Sequence, residues 1–214
     1  MGTAMTRLAT LVRRLAHGMG RECERDRRSR RVVLAIDCIL NQNARDRGAA
    51  AFPASNWEVL RLCEAFEVGV LQMPCPEIEC LGFARERPPG MSIRAALDTD
   101  EGRKCCRRIS VEVVDRAQEY DRQGYQILAV LGGNPDSPGC AVHAGQAGLL
   151  ATSGVLMREL QDELRQRNIE VPFRGIRDCD PVTMSEDIKW LERVFSMEAK
   201  VRKTPNHISR DPEV

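Results

Sequence analysis

Short runs of aliphatic and β-branched residues, each broken off by Pro, Gly or Asn, constrain this chain more than any other feature. RVVLAI (31–36), VGVLQM (68–73) and YQILAVL (125–131) are continuously apolar, as strands buried on both faces are. VPFRGI (171–176) is a shorter fourth run. Segments of helical period separate them. NWEVLRLCEAF (56–66) follows Ser55, which reads as an N-cap with Glu58 completing a capping box. A long helix is predicted from about Thr99 to Gln123, with Ile109, Val113, Ala117 and Tyr120 on one face and Gly124 as its stop. Further helices are predicted over 155–167 and over 183–195, the latter capped by Ser185. The Pro/Gly-containing stretch 76–90 reads as irregular, and NQNARDRGAAAFPAS (41–55) as loop. Strand and helix therefore alternate. The order predicts an α/β fold: a small doubly wound, Rossmann-like, mostly parallel sheet in one domain spanning 31–195.

The flanks differ in composition from that domain. Residues 1–31 carry nine Arg against Glu22, Glu24 and Asp26. Leu8, Leu11, Val12 and Leu15 are spaced as in a short amphipathic helix, so 1–30 reads as a basic extension with helical character. Arg13, Arg14 and His17 interrupt the apolar run that a secretory signal would need, and no stretch is long enough to span a bilayer. Residues 196–214 read as a polar, disordered tail. With a net charge of +1 and 4% aromatic residues, the chain lacks both the basic excess and the stacking platforms of a nucleic-acid binder. Nine cysteines, an odd number that includes the adjacent pair Cys105-Cys106, argue against a disulfide framework and for a reducing, cytoplasmic setting.

Three of these cysteines stand where a predicted strand gives way to a loop: Cys38 in IDCILNQN, Cys75 in MPCPEIECLG and Cys140 in GGNPDSPGCAVH. Ligands of open α/β sheets bind along the carboxyl ends of the strands. Three thiolates gathered there have the donors for zinc or an iron–sulfur cluster with one position left open; the spacing does not choose between them. The plain alternative is that cysteine, a small and often buried residue, simply packs. Around the trio, Asn41 and Asn43 follow Cys38 and are candidates for the substrate pocket, Ser137 shares a loop with Cys140, and Glu77 is the acid/base type nearest Cys75. His143 is a candidate proton relay, Arg85 and Arg87 are candidate anion contacts, and Cys80 is a candidate extra ligand or resolving thiol. Cys63, Cys105 and Cys106 read as packed on helices, while Cys179 suggests no role. The Gly132-Gly133-Asn134 loop lacks the Lys-Ser/Thr of a phosphate loop.

The sequence CILNQN, then MPCPEIECLGFARERPPG, then GNPDSPGC resembles the thiouracil desulfurase family, and more closely its desulfidase relatives. The likeness spans roughly residues 31–145. It implies a [4Fe-4S] cluster on Cys38, Cys75 and Cys140 and an enzyme that removes sulfur from a small thiocarbonyl compound by non-redox substitution at an open cluster iron. Glu77 and Ser137 would be the catalytic groups. The chain departs from the family after Cys-Pro-Glu, where IECLGFARERPPG replaces a segment with a Gly-Gly pair, and at Ala141, where Gly is common. These changes alter the pocket wall and detach the expectation from thiouracil itself. A non-enzymatic iron–sulfur or zinc module that senses metal or carries sulfur to a partner would use the same cysteines without an acid/base group.

Overall fold

The computed structural model describes residues 26–201. The helix expected near Leu8–Leu15 and residues 202–214 of the expected tail lie outside them. β1 (Arg31–Ile36) coincides with RVVLAI, and all six of its residues are buried. β2 (Gly69–Met73), β3 (Gln126–Gly132) and β6 (Phe173–Gly175) complete a four-stranded sheet in the order β2-β1-β3-β6. Every pairing in it is parallel, so the α/β reading stands. A strand buried on both faces must be covered twice. α2 (Trp57–Ala65) packs with α7 (Pro181–Val201), and α5 (Asp100–Arg122) packs with α6 (Val155–Gln166), which supplies the two helical layers of a doubly wound sheet. Among the described residues no helix is long and apolar enough to cross a membrane.

The strand order fixes where a site belongs. From β1 the chain moves outward to β2, then returns past β1 to β3, so the order reverses between β1 and β3. Loops leaving the carboxyl ends of those two strands diverge and leave a crevice between them. Cys38 follows β1 and Cys140 follows β3.

Several local expectations are corrected. The stretch 76–90, expected to be irregular throughout, opens with a helix, α3 (Pro76–Leu81), and is irregular from 82 to 90; α4 (Ile93–Leu97) then precedes α5. Pro76 opens α3 at a position where its missing N–H costs nothing, so the proline starts a helix here. Asn56, and not Ser55, caps α2: its side chain accepts from Val59 N at 3.2 Å, while Ser55 Oγ donates to the Leu40 carbonyl at 2.8 Å. α7 starts at Pro181, ahead of Ser185, with the Asp180 carboxylate accepting from Val182 N and Thr183 N. The same helix runs on to Val201, through the first residues of the expected tail. A small hairpin, β4 (Ala144–Gly145) and β5 (Gly148–Leu149), was not foreseen. The long helix is as expected, with Thr99 as N-cap and Gly124 at φ +75° just past its end.

The cysteine reading also needs correction. Cys80 on α3 and Cys105 on α5 are joined by a disulfide, so Cys80 is not a free ligand. The packing of α3 against α5 sets that pairing, which sequence spacing does not encode. Cys63 and Cys106 are buried, as expected.

Burial pushes the Cys106 thiol from its ordinary 9.0 up to about 12. Above pH 9 the unfolded chain sheds this proton while the folded chain keeps it, so stability falls as pH rises. Cys106→Ala should therefore flatten the decline in unfolding free energy between pH 9 and 12 by up to about 1.4 kcal/mol per pH unit. Urea titrations across that range check it; parallel wild-type and variant curves would contradict it.

Candidate functional site

Three loops shape the crevice at the carboxyl edge of the sheet. After β1 the backbone turns at once into α1 (Asp37–Leu40) and a 3-10 turn over Gln42–Ala44, which places Cys38 inward. After β2, Cys75 sits at the N-cap of α3. After β3 the chain makes a tight excursion and returns: Gly133 N donates to the Cys140 carbonyl at 2.8 Å, and Ala141 N to the Ser137 carbonyl at 3.2 Å. A β-carbon on Gly133 would lie 2.7 Å from Cys140 Sγ, so only glycine leaves room for that thiol.

Cys38, Cys75 and Cys140 all line one cavity of about 520 Å³, together with Glu77 and Ser137. All three thiols are buried and unbonded to one another. Burial is the main force raising each thiol's pKa: Cys38 to about 11, Cys75 above its ordinary value, and Cys140 well above its usual range. Each thiol is opposed or aided by neighbours. Arg45 lowers the pKa of Cys38, the Ile78 and Glu77 amides lower that of Cys75, and Ser137 lowers that of Cys140. Charges on Cys38 and Cys75 would in turn disfavour ionising Cys140, the mark of thiols sharing one space.

The donor set fits a cluster held by three thiolates. Among the described residues, no three His, Cys, Asp or Glu side chains converge on a point that could hold a single metal ion. Zinc would take all three thiolates on one ion, whereas a four-iron cluster takes one thiolate per iron and leaves one iron open.

Glu77 and Ser137 are both engaged. Glu77 Oε2 accepts from Arg85 Nε at 2.7 Å, a pair only 10% and 5% exposed. Arg85 lies in the left-handed backbone region at φ +53°, which costs roughly 1–2 kcal/mol, and its Nη2 also donates to the Ala44 carbonyl at 2.7 Å. Ser137 Oγ lies 2.9 Å from Cys140 Sγ. The other expected site residues fall elsewhere. Asn41 and Asn43 are exposed and bond to each other, capping the 3-10 turn, and neither lines the cavity. Their short side chains stabilise the turn that follows Cys38. His143 is half-buried and bonds to Thr152 Oγ1 and the Pro135 carbonyl. Arg87 donates to the Met91 and Arg85 carbonyls.

The residue of greatest structural weight went unnoticed in the sequence. Asp178, on the loop after β6, has a side chain with no exposure. Its Oδ2 accepts from Arg45 Nη2 at 2.8 Å, Asn56 Nδ2 at 3.2 Å and Gln42 Nε2 at 3.3 Å; Oδ1 accepts from Asn134 Nδ2 at 2.8 Å. One carboxylate thus ties together the loops that follow β1, β3 and β6. Next to it, Cys179 is exposed and also lines the cavity, so each of the four parallel strands is followed by a cavity cysteine.

No protein-family model matches this chain, and no solved structure does. Over 142 residues it is 27% identical to an uncharacterized protein of Methanocaldococcus jannaschii, a stretch covering 66% of this chain and 83% of that protein. This likeness carries no activity with it.

Asp178→Ala would leave Arg45 as an uncompensated buried cation and free four donors. It should lower unfolding free energy by about 3–5 kcal/mol in urea titrations at neutral pH. A loss under about 1 kcal/mol, the median worth of a surface ion pair, would show that the network does not hold the loops.

Proposed function

We propose that this protein is an iron–sulfur-dependent desulfidase that removes sulfur from a small thiocarbonyl compound. What carries the reading is the arrival of Cys38, Cys75 and Cys140, distant in sequence, on the wall of one cavity beside a carboxylate and a hydroxyl. Cys38, Cys75 and Cys140 would hold a [4Fe-4S] cluster. When bound, the cluster supplies an open iron, a soft Lewis acid that prefers sulfur to oxygen.

The chain's own groups supply the rest. Burial keeps the three thiols protonated in the empty protein, so loading them releases protons and is favoured at higher pH. Glu77 exchanges the protons of hydrolysis. Arg85 holds Oε2, which leaves Oε1 as the atom that accepts a proton from the attacking water and returns it to the product. Ser137, fixed beside Cys140, orients the water or the substrate. Ile36, Ala44, Ile93 and Pro138 form apolar walls that exclude bulk water.

A cluster-binding module without catalysis is the second reading. The observation in its favour is that Glu77 is already spoken for by Arg85, as a purely structural carboxylate would be.

Cys140→Ala should lose iron and sulfide release from thiouracil-like compounds together. Glu77→Gln should retain iron yet lose at least about 100-fold in sulfide release, the usual worth of one general acid–base group. Iron assay and sulfide assay on anaerobically reconstituted protein check both. Undiminished turnover in Glu77→Gln would remove its assigned role, and iron binding with no sulfide release from any thiocarbonyl would favour the module.

A further inference from the structure

The three cavity thiols do not have equivalent neighbours. Cys140 faces a neutral hydroxyl, Ser137 Oγ at 2.9 Å, and Cys75 faces the amides that open α3. Of the three, Cys38 has a cation within hydrogen-bond reach: Arg45 Nη2 lies 3.8 Å from Sγ, whereas Arg85 acts on Cys75 only through its charge. The same nitrogen donates to Asp178 Oδ2 at 2.8 Å, and Nη1 donates to the Ala49 carbonyl at 3.0 Å. With side-chain exposures of 8% for Arg45 and 0% for Asp178, the pair is shielded from bulk solvent. Gln42, Asn56 and Asn134 hold the carboxylate that holds the arginine.

Such a chain of supports does more than neutralise a buried charge. Asp178 has three amide donors from two loops besides Arg45, and Arg45 could pair with it from many directions. The observed direction brings a second contact, with sulfur. Groups behind a metal ligand set how strongly that ligand donates, and hydrogen bonds to cluster sulfurs raise the reduction potential by stabilising the more negative, reduced form.

Resting on the cluster reading above, we propose that Arg45, clamped by Asp178, is a positioning residue that donates an N–H···S hydrogen bond to the Cys38 sulfur and weakens that ligand's electron donation. The effect is to leave the cluster iron more electron-poor, which suits an iron that must polarise a substrate sulfur. Arg45 itself touches no reacting atom. A lysine at this position would keep a cation beside Asp178, but its single ammonium lacks the second nitrogen, Nη1, whose bond to the Ala49 carbonyl sets the direction in which Nη2 meets the sulfur.

The test compares wild type with Arg45→Lys after anaerobic reconstitution, reading iron per chain and cluster midpoint potential. Arg107→Lys, at an exposed arginine on α5, is the control. We expect full iron in all three, a potential shifted negative in Arg45→Lys, and none in Arg107→Lys. Full iron in Arg45→Lys at the wild-type potential overturns this inference alone; a wild-type chain that takes up no iron overturns the cluster reading and the inference with it. Circular dichroism reports whether Arg45→Lys folds. Should it not, Arg45→Gln serves: it removes the guanidinium donor and its charge from beside the Cys38 sulfur, so a negative shift is expected, and an unchanged potential overturns the inference.

Discussion

The carboxylate of Asp178 is the tie on which the site depends. A parallel sheet fixes where its strands end, but says little about what the loops beyond them do. Here one fully buried acid collects N–H donors from Arg45 and Gln42 after β1, Asn56 at the start of α2, and Asn134 after β3. An isolated buried carboxylate would be costly; with a guanidinium and three amides around it, the cost moves to any change that removes a partner. The loops are therefore locked as a set, and the thiols they carry are locked with them.

The second buried pair, Glu77 with Arg85, serves the opposite wall. Arg85 accepts an unfavourable backbone conformation, and its guanidinium bridges α3 to the Ala44 carbonyl on the β1 loop. The cavity is thus framed by two internally compensated ion pairs, between which lie thiols whose burial resists ionisation until something replaces the lost proton charge.

Much of the fold was legible because the strands are buried on both faces. RVVLAI and YQILAVL declare themselves by continuous apolarity, and their alternation with helical segments leaves few topologies open. Cap positions were less legible. Ser55 and Asn56 are both good caps, and what decides between them is Asp178, more than a hundred residues away, which draws Asn56 inward. Cys75, Cys140 and Cys38 could be read from position alone, since strand ends share an edge. Asp178 could not: an acid in a short polar loop looks solvated until the fold surrounds it. Arg45 hid in the same way within a charged stretch, and Cys179 hid because β6 is only three residues long and its strand end is faint. The Cys80–Cys105 bond depends on how α3 leans on α5, which local pattern does not carry.

The central proposal is that three thiols from three strand ends, gathered on one cavity wall, hold a multi-iron body. Metal and acid-labile sulfide analysis of the anaerobically reconstituted protein tests it most directly. The account predicts about four irons and four sulfides per chain, with a broad absorption near ~400 nm. A colourless protein holding a single zinc, or no metal at all, would contradict it.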